Sequence, residues 1–248
     1  MKIEHEVIVI TGGASGMGRA SADALRDKKA TVVIWDKEVE QVGNHHAIAC
    51  DVSSAEAVEK ALQETIERFG VPRVGVSCAG IAPAKRMVGK EGPMPLDQFK
   101  KVIDVNLIGT FNVMRVLAAA MTKLEPLGES AERGVIINTA SIAAYEGQIG
   151  QAAYSASKGG IVSLTLPAAR EMAQFGVRIN TVAPGLIATP LLLNMPQDVQ
   201  DSLAATVPFP KRLGKPEEFA ALVEHIISNT MINGEVIRLD GALRMQSK

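Results

Sequence analysis

Tyr154 and Lys158, in the run YSASK, stand at positions i and i+4 and could together move a proton. On a helix that spacing puts both side chains on one face. A phenol with its ordinary pKa of about 10 is a poor base at neutral pH, and a nearby ammonium favours its anion. Alone, the pair also fits a surface tyrosine with an unrelated lysine, so its meaning depends on other polar groups. Ser141, at the end of GVIINTAS, would hold a substrate carbonyl or alcohol, or would cap a helix. Asn106, in DVNLIGTFN, is either a core amide or a water-binding link from the lysine to solvent.

A second constellation opens the chain. The run TGGASGMG follows VIVIT and leads into RASADALRD, the strand, glycine turn and helix order of a dinucleotide site. Gly12 suits the tight turn, Gly16 the close approach of backbone to pyrophosphate, and Gly18 the packing of helix on strand. The helix N-terminus would add amides and positive dipole. Asp36, at the end of TVVIW, is placed to accept hydrogen bonds from both ribose hydroxyls and to repel a 2'-phosphate, which favours NAD over NADP. Ser15 brings no compensating cation, and Lys37 reads as solvated surface rather than as a phosphate ligand. Asp51 and Val52 are expected to close the third strand and bracket the adenine.

Seven β-branched runs must position these groups: VIVIT, TVVIW, AIACDV, VGVSCAG, GVIINTAS, VRINTVAPG and EVIRLDG. Continuous apolar runs separated by helical patterns predict strands covered on both faces, hence a single-domain Rossmann-like α/β fold with a doubly wound parallel sheet of about seven strands. No repeat or linker interrupts residues 1–248. Two Pro- and Gly-punctuated stretches, 81–95 and 186–215, follow strand ends, where such sheets bind ligands.

Composition narrows the function. A 248-residue chain with 47% hydrophobic and 21% charged residues can bury a core. A net charge of -1 offers no field for nucleic acid or an anionic membrane, and no apolar run approaches a span, so neither partner is expected. Two cysteines, Cys50 and Cys78, suit a reducing compartment. The expected location is the cytoplasm, or the mitochondrial matrix if a presequence has been removed. The four histidines lack ligand spacing, so no metal is expected, and the first loop lacks the Lys and Ser/Thr ending of a Walker motif.

Together TGGASGMG, Asp36, SCAG at 77–80, Asn106, Ser141, YSASK and APG at 183–185 resemble the short-chain dehydrogenase/reductase family over essentially the whole chain. The resemblance implies hydride transfer to a nicotinamide, with Tyr154 as acid/base, Lys158 as its partner and ribose ligand, Ser141 as substrate anchor, and Asn106 in a proton relay. It also implies a homotetramer. Cys78 departs from the asparagine common in the family's NAG motif, which puts a sheet-stabilising contact in question. Longer runs, among them VPFPKRLGKPEEFAALVEHII and NGEVIRLDGALRMQ, are similar to a group within the family, the type II 3-hydroxyacyl-CoA dehydrogenases. By that similarity Ser15, Met17, Asp36, Asp51, Val52, Cys78, Tyr154, Lys158 and Ile187 line the NAD site. Ala79, Gly80, Pro184, Gly185 and Thr189 accompany them in the shared motifs, and Gln148 and Gln151 border the substrate.

The reaction implied is oxidation of a 3-hydroxyacyl-CoA to the 3-ketoacyl-CoA. Leu191, Leu192, Leu193, Met195 and Phe209 make the loop after APG either a lid over an acyl chain or sterol, or helix packed on the core. Lys85, Arg86 and Lys90 either meet coenzyme A phosphates or lie solvated. A dehydrogenase or reductase of another alcohol, and a non-catalytic dinucleotide-binding subunit, remain as alternatives.

Overall fold

All seven apolar runs form strands, and a short hairpin is interleaved with them. The computed structural model describes residues 1–247, apart from the side chains of Gln41 and Leu191. In chain order the elements are β1 (Val7–Thr11), α1 (Gly16–Asp27), β2 (Thr31–Asp36), β3 (His46–Ala49), α2 (Ala55–Phe69) and β4 (Val74–Ser77). The hairpin β5 (Val88–Gly89) and β6 (Gly92–Pro93) comes next, then α3 (Leu96–Ile103) and α4 (Gly109–Met121). The second half holds β7 (Gly134–Thr139), α5 (Ala152–Ala173), β8 (Val177–Pro184), α6 (Pro190–Leu193), α7 (Gln197–Ala205), α8 (Pro216–Ser228) and β9 (Val236–Leu239).

The sheet order is β3-β2-β1-β4-β7-β8-β9, parallel throughout. The chain winds outward from β1 to β3, then returns to place β4 on the other side of β1. This reversal opens the crevice at the carboxyl ends of the strands where ligands bind in such sheets. Alternation along β1 sends Ile8 and Ile10 to one face and Val9 to the other. The first face is covered by α1 and α8 through Leu25, Phe219 and Val223, the second by α2, α4 and α5 through Val58, Leu117 and Ala169. Burial on both faces explains why these strands carry no polar alternation.

Several strands end sooner than their composition predicts. β3 stops at Ala49, so Asp51 and Val52 do not close it. Asp51 instead turns its carboxylate back on Ser53, accepting from the backbone N–H at 3.0 Å and the hydroxyl at 2.6 Å, which breaks the strand ahead of α2. β7 stops at Thr139, and Ser141 begins a short helical turn by accepting the Ala143 N–H at 3.1 Å. The capping role is therefore real.

Between α3 and α4 the helix widens into a π turn over Asp104–Ile108, giving a continuous run from Leu96 to Met121. That run has the length and mean hydropathy of a membrane span, contrary to the expectation that no segment approaches one. Its most apolar stretch is more than half buried in the fold, as in the core helix of a sheet protein.

Candidate active site

The glycine turn is built by backbone meeting backbone. Gly12 has a φ of +66°, and a Cβ there would lie 2.6 Å from the Ala79 nitrogen at the end of β4. A Cβ on Gly18 would overlap the Gly12 carbonyl oxygen, so α1 can start against β1 only with glycine at that position. Gly16, with a φ of +54°, faces Thr189 across the cleft. Ser15 occupies the N-cap of α1 without a side-chain capping bond, Met17 packs at the core edge, and the first turn carries no acid.

Asp36 stands over this turn. Its Oδ2 accepts the Ala14 N–H at 3.0 Å and its Oδ1 the Glu38 N–H at 3.2 Å, so the carboxylate is fixed at the mouth of the crevice. Lys37 lies exposed at the surface, as expected, and its ammonium reaches Asp51 Oδ2 at 2.8 Å. The hydrogen bond from Lys37, helped by Ser53, holds the Asp51 carboxyl down at about 2. Val52 is buried against Gly109.

From the β4 end, Ala79 donates its N–H to Thr11 Oγ1 at 3.3 Å. Cys78 Sγ lies 3.6 Å from Thr139 Oγ1, a link to β7 despite the departure from asparagine, and burial pushes its thiol up to about 11. Pro184 ends β8, and Gly185 donates to the Leu239 carbonyl at 2.9 Å. Ile187 is buried and the Ala188 N–H donates to Gly214, which pins residues 186–189 beside Gly16. Free helix-terminal amides, a first turn without acids and a fixed carboxylate at the end of β2 fit the pyrophosphate and ribose of a nicotinamide dinucleotide.

The polar set converges on the first turns of α5. Lys158 is buried, and its ammonium donates to the Thr139 carbonyl at 2.6 Å while lying 5.8 Å from the Tyr154 ring centre. Burial pushes this ammonium down to about 8. Burial also raises the Tyr154 phenol, opposed by its hydrogen bond with Ser141.

Asn106 is fully buried within the π turn, a distortion often found at functional sites. Its amide accepts the Ile81 N–H and donates to the Ile81 carbonyl, both at 2.8 Å, and Nδ2 donates to Ser157 Oγ at 3.1 Å. Both the Asn106 amide and the Lys158 ammonium come within 4 Å of where a Gly80 Cβ would sit. Asn106 thus ties the loop after β4 to α5, as a core amide would, at the edge of the lysine pocket.

Gln148 and Gln151 lie between Ser141 and Tyr154 but bond chiefly to the chain. The Gln151 side chain accepts the Gln148 N–H at 3.0 Å, and Gln148 Nε2 donates to the Gln246 carbonyl at 3.1 Å. The apolar loop after APG becomes α6 and α7, and α7 buries no residue. Leu193 and Phe209 are 51% and 81% exposed, and the Leu191 side chain lies outside the described residues. The segment is therefore not a helix packed on the core. Lys85, Arg86 and Lys90 are all exposed. Sequence reasoning missed Thr139 and Ser157, the partners that fix Lys158 and Asn106. Their position inside NTAS and YSASK was the available signal.

The model of the short chain dehydrogenase family matches residues 6–200. A Bos taurus protein named 3-hydroxyacyl-CoA dehydrogenase type-2 is 52% identical over 97% of this chain and 95% of its own length. The Drosophila melanogaster protein of that name is 46% identical over 98% of this chain and 99% of its own. A crystal structure of 3-hydroxyacyl-CoA dehydrogenase type-2 from Mycobacterium avium superposes with a TM-score of 0.93 at 41% identity, covering 100% of this chain and 98% of that one. The sheet order, the glycine turn under Asp36 and the Ser141, Tyr154 and Lys158 cluster coincide with full-length likeness: the chain belongs to the short-chain dehydrogenase family.

Proposed function

We propose that the protein oxidises 3-hydroxyacyl-CoA thioesters to 3-ketoacyl-CoA with NAD, and that Tyr154 is the base. The observation that carries this reading is Ser141 and Tyr154 set together beside a buried Lys158, in a chain 52% identical to a protein named for this reaction. When bound, NAD supplies the acceptor for the hydride leaving carbon 3. Ser141 and Tyr154 would both bond the substrate hydroxyl, which orients it and leaves one path for its proton, to the ionised phenol oxygen. Lys158, while protonated, would stabilise that oxygen's negative charge. General-base action of this kind is worth roughly 10²- to 10⁴-fold.

Two features support NAD over NADP. The Asp36 carboxylate, fixed at the end of β2, would repel a 2'-phosphate, and Lys37, the adjacent cation, is paired with Asp51. We also propose a homotetramer, which exposed Phe111 on α4 and Leu166 on α5 support as surface to be covered; light scattering tests it. The reaction is tested by turnover of 3-hydroxybutyryl-CoA in wild type and Tyr154→Phe. Loss of at least about a hundredfold in kcat with NAD binding retained is expected. A Tyr154→Phe variant that keeps most of its turnover would overturn the assignment of the base.

A further inference from the structure

Residues 145–151 join the Ser141 turn to α5, and within them residues 147–150 form one wall of a cleft of about 660 Å³, faced by Arg86, Met87 and Val88. Apolar packing does little to hold this segment, since Tyr145 and Ile149 are 48% and 52% exposed. Polar ties hold it instead. Arg238 of β9 grips Glu146 with both guanidinium arms at 2.7 and 2.9 Å and bonds Asp240 at 2.6 Å, while its guanidinium lies 5.2 Å from the Tyr145 ring centre. Arg244 closes the cluster on Asp240 at 3.2 Å.

The residues that follow then run along the loop. The Met245 backbone bonds the Glu146 carboxylate, the Gln246 carbonyl accepts from the Gln148 side chain at 3.1 Å, and the Ser247 carbonyl accepts the Ile149 N–H at 3.1 Å. On the opposite side the Gly150 carbonyl takes the Lys85 N–H at 2.8 Å. Fork-on-fork pairs between half-buried groups hold geometry far better than exposed ion pairs.

We propose that Glu146, Arg238, Asp240 and Arg244, with residues 245–247, form a clamp that positions the substrate wall and sets the affinity for the acyl thioester without taking part in hydride transfer. This rests on the reading of the site as a hydroxyacyl-CoA dehydrogenase. Glu146 and Arg238 are positioning residues that act through Gln148, Ile149 and Gly150. A staple serving stability alone would predict a lower melting temperature with unchanged kinetics of the folded fraction.

The test uses Glu146→Gln, which keeps shape and loses charge, and Arg238→Lys, which keeps charge and loses the fork. Hydrogen exchange at residues 147–151 is followed in the protein without substrate, and steady-state constants are measured beside it. Glu146→Gln is expected to speed exchange at Ile149 and raise the thioester KM, each about tenfold, with kcat and the NAD KM within about twofold. Arg238→Lys should fall between it and wild type, and it preserves the test if Glu146→Gln folds poorly. Unchanged exchange overturns the clamp, and faster exchange with an unchanged thioester KM overturns its role in substrate positioning. A wild type silent on thioesters but active on another alcohol overturns the functional reading instead, and exchange together with the KM for that alcohol still decides the clamp.

Discussion

Replacing Asp36 by asparagine should relax the discrimination against NADP while leaving the glycine turn intact. The Ala14 N–H now donates to Asp36 Oδ2 at 3.0 Å, and an amide oxygen can accept the same bond. What is lost is charge. Two unit charges about 4 Å apart interact by about 1 kcal/mol in water and about 4 kcal/mol at the effective dielectric near a protein surface. Asp36 is half-buried at the cleft mouth, so the repulsion falls between these limits. A 2'-phosphate carries roughly 1.5 to 2 negative charges. The ratio of kcat/KM for NADP to that for NAD should therefore rise at least about tenfold, the value at the weak, water-like limit. Initial rates with each dinucleotide at saturating substrate give the ratio, and a melting scan confirms the fold. A well-folded Asp36→Asn protein with an unchanged ratio would refute the placement of this carboxylate at the ribose.

Other perturbations reach different parts of the account. Gly18→Ala forces a methyl onto the Gly12 carbonyl, and overpacking of that kind costs about 1–3 kcal/mol; calorimetry and NAD titration should show lost stability and weakened binding together. Glu132→Gln breaks the buried pair in which Arg178 Nε donates at 2.8 Å, and should lower stability in urea by about 3–5 kcal/mol without changing the KM for NAD. Lys158, pushed down to about 8 in the fold from an ordinary 10.5, destabilises the fold fully below pH 8, and this penalty is relieved as pH rises toward 10.5. Wild type should thus gain on Lys158→Met by up to about 1.4 kcal/mol per pH unit between pH 8 and 10. Cys50, raised to about 12 by burial, pulls the other way above pH 9 in both proteins, while Cys78, raised to about 11 and electrostatically linked to Lys158, confines the clean comparison to below about pH 9.

The sheet was legible because strands buried on both faces must be apolar throughout, and VIVIT, TVVIW and VGVS are. The glycine turn was legible because backbone meeting backbone excludes every side chain at Gly12 and Gly18. Strand ends were not. AIACDV continues apolar past Ala49, but Asp51 finds Ser53 and the chain turns. The π turn that presents Asn106 has no composition of its own, since DVNLI reads as ordinary helix. Lys37 is solvated as its sequence context indicates, but its ion pair with Asp51, on the neighbouring strand's turn, carries no sequence signal. Arg238 and Glu146 meet across the fold, and one sequence carries no signal for so distant a pair.

The central claim is tested most directly by NADH formation, followed by its ultraviolet absorbance, with purified protein and 3-hydroxybutyryl-CoA beside NADP and a steroid alcohol at matched concentrations. The account predicts turnover that requires NAD and is strongest with the thioester. Silence with the thioester and turnover of the other alcohol would contradict it, leaving the short-chain dehydrogenase family in place and removing the substrate.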